Sequence, residues 1–309
     1  MVGGYYEGEP LSLYSARANT LARELVLPRL FPGATRIQAE PRHEGGRFDF
    51  AVEHSGAEHL VEVKACTLIH AGVGMFPDAV SARATRHLEE LARSPGKSHV
   101  VFVLMRPGVE RFVPDIHTDP QFSRTLRDLA DRIHIHAVSL RAEASGAVET
   151  ANPEVPVDLS PVRLVEEDRG VYLVTLRLTE PRRIRVGALG ELDFPAGHYV
   201  YVGSGRQHLG ARLRRHLRRK KRMHWHVDYL RAEAEEVRAY PVYTSRPLES
   251  ALADDVSVLA GEAGGRAVPG FGSSDSPAAS HLLHFPEPPM RNPAFVKLLL
   301  DYRHRRAIS

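Results

Sequence analysis

The sequence predicts an α/β protein built from two units, and three observations support that prediction. The chain has 309 residues, which exceeds the usual size of one domain. Helix-like and strand-like hydrophobic periods alternate along the first half. Between 143 and 168, three prolines and several small polar residues interrupt every period, as expected where one domain ends and another begins.

The first half is predicted to form a central mixed sheet flanked by helices. The predicted strands cover 47–53, 59–68, 99–105 and 133–140. The predicted helices cover 18–30, 79–93 and 119–132. Asp119 followed by Pro120 is typical of an N-cap and a first helical turn. His134 and His136 alternate on the last strand, which suggests either a two-histidine metal face or, more simply, an edge-strand surface.

The second half is predicted to be a smaller α/β unit built on an antiparallel hairpin or meander. Its predicted strands cover 170–178, 183–187 and 198–204, and a basic helix and a second helix near 225–237 follow them. The whole chain is therefore expected to divide into a first domain (1–145), a linker (146–164), a second domain (165–290) and a C-terminal helical tail (291–309).

Composition restricts the environment in which the chain works. Cys66 is the single cysteine, so no disulfide framework can form and a reducing cytoplasm is expected. No apolar run approaches the roughly 20 residues that span a bilayer, so a membrane is not expected as a partner. The segment MVGGYYEGEPLS lacks a basic region followed by an apolar one, so it is not expected to be a signal peptide. No glycine loop of P-loop or dinucleotide type is present, so a small-molecule cofactor is not expected.

Charge is unevenly distributed between the two halves. Residues 1–150 carry 17 Lys and Arg against 19 Asp and Glu, whereas residues 151–309 carry 24 against 19. The segment RQHLGARLRRHLRRKKR (206–222) has nine basic residues and no acid. Such a segment predicts contact with a polyanion, most simply nucleic acid. The residues expected to bind nucleic acid are Arg206, Arg214, Arg215, His216, Arg218, Arg219, Lys220, Lys221 and Arg222.

Two carboxylates and a lysine are predicted to meet in the first half. If Ser55-Gly56 is the centre of a hairpin loop, paired residue numbers sum to 111, and Asp49 lies opposite Glu62. Opposed carboxylates repel each other, and a divalent cation such as Mg²⁺ would relieve that repulsion. Lys64 shares the face and could hold an attacking water or a developing charge. The alternative is a solvated strand face, since alternating Glu and Lys are common on strands.

The segments RFDFAVE, LVEVKACTL, GMFPDAVSARATRHLEEL and RFVPD resemble the sugar fermentation stimulation (SfsA) family. The resemblance implies a PD-(D/E)xK restriction-endonuclease-like mixed sheet with flanking helices. It implies that Asp49 and Glu62 bind metal, that Lys64 is catalytic, and that Glu24 is a candidate additional acid. His87 either joins this site or packs on its helix. The family usually carries an N-terminal OB-like domain, which we expect to be absent here.

A second constellation combines two tyrosines with an arginine. Tyr172 in GVY and Tyr201 in YVG are 29 residues apart, and Arg212 follows Gly203 by nine residues. With ARLRRHLRRKKRMHWHVDYL and GFGSSD…SHL, these segments resemble the short form of the GIY-YIG nuclease family. That family commonly has two cysteines where Ser276 and Ala278 stand.

The GIY-YIG resemblance implies a small α/β nuclease domain and a role for each of the matching side chains. Tyr172 would act as the base, with support from Tyr201. Arg212 would bind the scissile phosphate, and Glu249 would bind the metal. A tyrosine acts as a base only where its pKa is lowered by a metal or cationic neighbours.

Two functions remain open at the level of the sequence. The favoured one is a DNA-binding, Mg²⁺- or Mn²⁺-dependent endonuclease, with RNA left open as a substrate. The alternative is a non-catalytic nucleic-acid-binding or regulatory protein built on nuclease folds. The sequence gives neither the oligomeric state nor the pathway.

Overall fold

Two units, Met1–Val162 and Arg163–Ser309, make up the computed structural model. The structure describes residues 3–6, 9–12, 17–43, 46–143, 145–271 and 280–308. Each unit has its own sheets and its own apolar core. Among the described residues, no helix is both long enough and apolar enough to cross a membrane.

The first unit contains thirteen strands and four α-helices within the described residues. Its strands are β1 (Gly3–Tyr6), β2 (Glu9–Ser12), β3 (Arg36–Ala39), β4 (Arg42–His43), β5 (Gly46–Arg47), β6 (Phe50–His54), β7 (Ala57–Cys66), β8 (Leu68–His70), β9 (Val73–Phe76), β10 (Lys97–Leu104), β11 (Arg111–Pro114), β12 (His134–Ala142) and β13 (Val148–Asn152). Its helices are α1 (Ala18–Leu21), α2 (Leu27–Leu30), α3 (Ala82–Arg93) and α4 (Pro120–Asp128), with a π-helical turn (Ala22–Val26) joining the first two.

A six-stranded mixed sheet, in the order β13-β12-β10-β7-β6-β3, forms the centre of the first unit. The three central strands β7, β10 and β12 are parallel, and α3 and α4 make the two crossovers between them. Both crossover helices pack on one face of the sheet, and α1, α2 and the π-helical turn pack on the other. The predicted mixed sheet with flanking helices is confirmed.

The hairpin between β6 and β7 has the predicted register. Phe50 pairs with Val61 and Ala51 pairs with Leu60, so paired numbers sum to 111. Ser55 and Gly56, which form the loop, both have positive φ (51° and 74°), as a tight two-residue hairpin turn requires. This register is what directs Glu62 and Lys64 towards the face covered by α3.

Two parts of the first unit differ from the sequence-based expectation. Val148–Asn152, inside the expected linker over 146–164, is an edge strand paired with β12, so the linker prediction is wrong for these residues. The glycine-containing segment after Cys66 forms β8 and β9, which join β11 in a separate three-stranded sheet. These strands have only three or four residues each, too few for a clear alternating pattern.

A row of histidines crosses the three parallel strands on the face covered by α1 and α2. Nδ1 of His59 lies 2.9 Å from Nε2 of His99, and Nδ1 of His99 lies 3.0 Å from Nε2 of His136. Phe31 packs edge-on against both His59 and His99. Burial and the neighbouring histidines lower the pKa of His99 to about 3 and that of His136 to about 4, and burial and Lys97 lower the pKa of His59.

This row makes the stability of the first unit sensitive to acid. A histidine whose folded pKa is depressed binds fewer protons in the folded chain than in the unfolded chain below pH 6.5. The free energy of unfolding should therefore fall as pH drops from 6.5 towards 4, at up to about 1.4 kcal/mol per pKa unit of difference. Hydrogen exchange of the β7 and β10 amides, corrected for intrinsic rates, measures this fall.

The variant His99→Phe keeps a ring against Phe31 but cannot take up a proton, so its pH slope should be shallower. His224→Phe, which changes an exposed histidine of the second unit that is not part of this row, is the control and should keep the wild-type slope. Equal slopes for His99→Phe and the wild type would contradict the assignment.

The second unit contains seven strands and five α-helices among the described residues. In chain order they are α5 (Arg163–Glu166), β14 (Gly170–Leu178), β15 (Arg182–Arg185), β16 (Glu191–Phe194), β17 (Gly197–Gly205), α6 (Leu209–Leu217), α7 (His226–Glu233), β18 (Glu236–Tyr243), α8 (Glu249–Glu262), β19 (Arg266–Ala267), β20 (Leu282–Phe285) and α9 (Pro293–Asp301). A π-helical turn (Tyr302–Arg306) follows α9.

The main sheet of this unit has the order β18-β14-β17-β20-β19 and is antiparallel throughout. Helices α8 and α9 pack on one face, against Val171 and Val200 among others, and α6 lies near β14, β17 and β18. The segment predicted as a C-terminal helical tail over 291–309 is helical, but Phe295 and Tyr302 are buried in that core. The segment is an integral part of the second unit.

Candidate functional sites

The two motif glycines of the second unit allow close packing between neighbouring strands. Tyr172 on β14 pairs with Gly203 on β17, and a Cβ atom at Gly203 would lie 2.4 Å from the Tyr172 hydroxyl. A Cβ atom at Gly170 would lie 2.1 Å from the carbonyl oxygen of Val242. Only glycine fits at these two positions, which accounts for the G of GVY and the G of YVG.

The two tyrosines and the arginine converge on the sheet face that also carries Gly203. The rings of Tyr172 and Tyr201 have centroids 6.4 Å apart. The Tyr172 hydroxyl is hydrogen-bonded to Nε2 of His216 at 2.9 Å, and Arg212 also donates to it. His216 is buried and stacks on Trp225. The basic helix α6 thus brings Arg212 and His216 to the tyrosine pair.

Glu249 joins the same cluster through a serine that the sequence did not suggest. The Ser204 hydroxyl donates to Oε2 of Glu249 at 2.5 Å, and Nη1 of Arg212 donates to the Ser204 carbonyl at 2.8 Å. Nδ1 of His281 lies 3.5 Å from Oε1 of Glu249. Burial favours the protonated acid, but His281 and Ser204 outweigh it and hold the pKa of Glu249 below its usual value. Glu249 is therefore ionised at neutral pH.

In contrast to Glu249, the two tyrosines and His216 are held in their uncharged forms. Burial and the neighbouring Tyr201 raise the pKa of Tyr172, and Arg212 offsets only part of that rise. Burial and Glu249 raise the pKa of Tyr201 to about 12. Burial and nearby Lys221 lower the pKa of His216 to about 4. At neutral pH both phenols are protonated and the imidazole is uncharged.

The basic segment separates into exposed residues and residues with structural partners. Six of the nine basic residues predicted to bind nucleic acid are exposed, namely Arg206, Arg214, Arg218, Arg219, Lys220 and Arg222. His216 is 2% exposed, so the prediction that it lies on the binding surface is wrong. Arg215 and Lys221 instead form ion pairs with Asp228.

Asp228 is a fully buried carboxylate that organises the end of the basic segment. It accepts hydrogen bonds from the Arg215 guanidinium at 2.9 and 3.1 Å and from the backbone amides of His224 and Trp225 at 3.0 and 3.1 Å, and Nζ of Lys221 lies 2.7 Å away. Burial alone would raise its pKa, but these donors lower it to about 2. The sequence did not single out Asp228, because its donors come from three separate places along the chain.

Removing the charge of Asp228 should destabilise the second unit. Breaking a buried ion pair by neutralising one partner typically costs about 3–5 kcal/mol, so Asp228→Asn should lower the melting temperature clearly at pH 7. In the wild type, the stabilisation is present above pH 3.8 and is lost as the pH falls through about 2. The variant should lack that acid-dependent loss.

Trp225, the single tryptophan, reports on this unit by its fluorescence during thermal unfolding. The matched control is Asp193→Asn, which neutralises an exposed aspartate on β16 and should melt like the wild type. If the Asp228 variant melts at the wild-type temperature at pH 7, Asp228 does not hold the segment in place.

A second cluster lies in the first unit, where β7 faces α3. Nζ of Lys64 lies 2.7 Å from Oε1 of Glu62, and Nδ1 of His87 lies 2.5 Å from the same oxygen. Asp49 directly precedes β6, and its Oδ2 accepts a hydrogen bond from the backbone amide of Val63 at 2.7 Å. His87, which the sequence left between a site role and packing, therefore contacts Glu62.

The other oxygen of Glu62 is buried and has no hydrogen-bond partner. Burial and the charge of Glu62 raise the pKa of Asp49, although Val63 and Asn19 donate to its carboxylate. Two carboxylates thus repel each other across the β6–β7 pair, as the register predicts. Glu24, the additional acid implied by the resemblance, is exposed on the π-helical turn.

The donor types at both clusters suit a hard divalent cation. Mg²⁺ is commonly held by one or two carboxylates, with water and substrate phosphate oxygens completing its shell. The unpaired buried oxygen of Glu62 is a suitable ligand atom, and Glu249 is an ionised carboxylate next to a cavity. Within the described part of the chain, no group of three or more His, Cys, Asp and Glu could hold a metal ion unaided. A cation would therefore depend on water and on the substrate.

The fold and these clusters define a two-unit protein in which a mixed α/β unit with helices on both sheet faces precedes a smaller antiparallel α/β unit. The chain belongs to the sugar fermentation stimulation protein family. The family model "Sugar fermentation stimulation protein RE domain" matches residues 16–146, and the model "Domain of unknown function DUF123" matches residues 171–302. The second is GIY-YIG-like, so the predicted order of the two domains is confirmed.

Relatives described as sugar fermentation stimulation protein homologs are similar to part of the chain. The homolog from Idiomarina loihiensis is 35% identical over 162 residues, which is 49% of this chain and 68% of the relative. The homolog from Thermotoga maritima is 43% identical over 100 residues, covering 32% of this chain and 43% of the relative. The homolog from Desulfotalea psychrophila is 31% identical over 125 residues, covering 38% and 53%.

A solved structure of Pyrococcus furiosus SfsA in complex with Ca²⁺ is also similar. It shares 30% sequence identity and a TM-score of 0.47, and the match covers 51% of this chain and 71% of that chain. The chain spans about half the length of several of the curated relatives it matches (53% and 54% for two of them). Asp275, Ser276 and Ala278, in the last GIY-YIG-like segment, lie outside the described residues.

Proposed function

We propose that this protein is a divalent-metal-dependent endonuclease that hydrolyses phosphodiester bonds in nucleic acid, with DNA as the favoured substrate. One observation carries the proposal. Tyr172, Tyr201, Arg212 and Glu249, which the sequence selected from three distant segments, meet at one place in the second unit. This place adjoins the exposed basic residues of segment 206–222.

In this proposal Arg212 binds the scissile phosphate. One of its nitrogens is fixed by the Ser204 carbonyl and its guanidinium lies 5.0 Å from the centre of the Trp225 ring, so the side chain is oriented before substrate arrives. A guanidinium has five N–H donors, which leaves several for phosphate oxygens. Such a preoriented cation stabilises the charge that grows on the phosphate in the transition state.

Glu249 is the proposed ligand of Mg²⁺ or Mn²⁺ in the second unit. When bound, the cation supplies charge stabilisation at the phosphate and lowers the pKa of bound water. Glu249 suits this role because it is ionised, is about one-third exposed, and is oriented by Ser204 and His281.

The Tyr172–His216 pair is the proposed route by which a proton leaves the site. The imidazole is uncharged at neutral pH, so its Nε2 can accept the proton of the Tyr172 hydroxyl along the 2.9 Å hydrogen bond. Tyr172 is buried and protonated in the absence of substrate. Loss of its proton would therefore need the positive charge of a bound divalent cation in addition to that of Arg212. Tyr201 lies next to the pair and supports its orientation.

In the first unit, Glu62 and Asp49 are the proposed metal-binding acids and Lys64 the proposed catalytic lysine. Lys64 and His87 fix one oxygen of Glu62, and the other oxygen remains for a cation. This second site supports the same reaction class, since two carboxylates and a lysine are suited to metal-assisted attack by water.

A non-catalytic nucleic-acid-binding protein is the second candidate. It is favoured by the burial of Tyr172, whose hydroxyl is already hydrogen-bonded and whose pKa is raised. In that case the exposed basic residues bind nucleic acid and the buried clusters serve only the fold. Both candidates predict binding that weakens steeply with salt, so only cleavage distinguishes them.

Cleavage should depend on a divalent cation and on the carboxylates of the clusters. Plasmid DNA, branched DNA and RNA would be incubated with the full chain in Mg²⁺, Mn²⁺ or EDTA, and products would be separated on gels. If the second unit cuts, Glu249→Gln and Tyr172→Phe should each slow cleavage at least about 100-fold while binding in EDTA is retained. If the first unit cuts, Glu62→Gln should have that effect.

Matched controls exist on the same elements. Glu262→Gln changes an exposed glutamate at the other end of α8, and Glu58→Gln changes an exposed glutamate on β7. Both should cut at the wild-type rate. Retained binding without metal-dependent cutting of any substrate would reject the endonuclease in favour of the binding protein.

A further inference from the structure

A groove of about 490 Å³ lies beside Glu249 in the second unit. Its walls come from the turn before β14, the end of β17 and the loop that joins β18 to α8. Ser204 and Glu249, which belong to the cluster around Tyr172 and Tyr201, also line this groove. The groove is therefore continuous with the proposed catalytic site.

Three arginines give the groove a positive lining. They are Arg169, Arg206 and Arg246, and Glu249 is the one acid among the described residues that line it. A larger groove of about 620 Å³ in the same unit differs, because Glu236 and Glu287 accompany its arginines. The groove beside Glu249 is thus the one that favours an anion.

Two of the arginines are held in place by contacts outside the groove. Nε of Arg169 donates to Glu167 at 2.7 Å, which neutralises part of its charge. Nη1 of Arg246 donates to the carbonyl oxygen of Arg306 at 2.9 Å. Each contact fixes a guanidinium, and each guanidinium retains further N–H donors for a ligand.

None of the described lining residues of this groove is aromatic, whereas hydroxyls and arginines are frequent. Base recognition in single strands relies on aromatic stacking, while hydroxyl and guanidinium groups bind phosphate oxygens. The groove therefore suits the sugar-phosphate backbone and not the bases. Arg206 also begins the basic segment 206–222, so the groove continues the exposed basic surface.

We propose that this groove binds the phosphodiester backbone of the strand to be cut, on one side of the scissile phosphate. The proposal rests on the nuclease function proposed above and specifies where its substrate lies. Arg169 and Arg246 are the new binding residues, and neither belongs to the basic segment that the sequence indicated. Because the contacts are to phosphate, binding through the groove is independent of base sequence.

Binding in EDTA tests the groove without cleavage. A fluorescent single-stranded DNA oligonucleotide would be titrated with the full chain at several salt concentrations, and its anisotropy recorded. Arg169→Ala and Arg246→Ala should each weaken binding severalfold. Each should also reduce the slope of log K against log salt by about 0.7, the value for one lost phosphate contact on a single strand. Two oligonucleotides of different base composition should give the same losses.

Two controls separate lost contact from damaged structure. Arg238→Ala removes an exposed arginine of the larger, acid-containing groove and should leave affinity and slope unchanged. Arg246→Lys keeps the positive charge and should restore most of the slope. Trp225 fluorescence melting shows whether each variant is folded.

The outcomes also separate this proposal from the function on which it rests. If the wild type cuts nucleic acid but the Arg169→Ala/Arg246→Ala double variant binds like the Arg238 variant, the groove proposal is wrong and the endonuclease stands. If binding depends on both arginines but no substrate is cut with any cation, the groove stands and catalysis is rejected. A wild-type chain that binds no oligonucleotide at low salt overturns both.

Discussion

The cost of burying a carboxylate beside an apolar sheet is the constraint on which both candidate sites depend. An ionised carboxylate in such a place needs positive or hydrogen-bonding partners, or it takes up a proton. Asp228 meets this need completely, with two cationic side chains and two backbone amides on its two oxygens. Its partners hold the basic segment in one conformation, and its role is structural.

Glu62 meets the same need only in part. Lys64 and His87 contact one oxygen, while the other is buried without a partner, and Asp49 adds a second acid nearby. Buried polar atoms are nearly always hydrogen-bonded in folded proteins, so the unpaired oxygen of Glu62 is a candidate ligand atom. Glu249 lies between these extremes, since it is ionised and oriented but partly exposed. Asp228 thus represents a saturated carboxylate, while Glu62 and Glu249 retain capacity for a cation.

Much of the fold could be predicted from local sequence rules, whereas contacts between residues far apart in the chain could not. The β6–β7 register and the antiparallel strands that carry Tyr172 and Tyr201 were predictable because alternation and turn residues lie within a few positions of each other. The burial of Phe295 and Tyr302 depends on the core formed by β14, β17 and α8, which hydrophobic periodicity alone does not reveal. The strand Val148–Asn152 is short, with no strong alternation, and forms only because β12 offers an open edge.

The site residues divide in the same way, into those that the sequence predicts and those that only the folded chain identifies. Asp49, Glu62 and Lys64 were selected by residue type and hairpin register, and Tyr172 and Arg212 by the resemblance to the GIY-YIG family. Ser204 and Arg246 were not, because their partners lie 8 to 60 positions away along the chain. Asp228 was not either, because its donors, which lie between Arg215 and Trp225, meet at one carboxylate only in the folded chain. Residue type alone also predicted too many nucleic-acid-binding residues. It could not distinguish Arg215 and Lys221, which form ion pairs with Asp228, from their exposed basic neighbours.

The charge distribution indicates how the two units divide the proposed work. The first half of the chain is net negative, with 17 basic and 19 acidic residues over 1–150, so a polyanion gains little from approaching it through long-range attraction. The second half has 24 basic and 19 acidic residues, and its positive charge is concentrated around the cluster that contains Arg212 and Glu249. If the proposed function holds, nucleic acid is attracted first by the second unit. Any cutting by the carboxylates of the first unit would have to rely on short-range contacts, with a divalent cation reducing the repulsion between phosphate and acid.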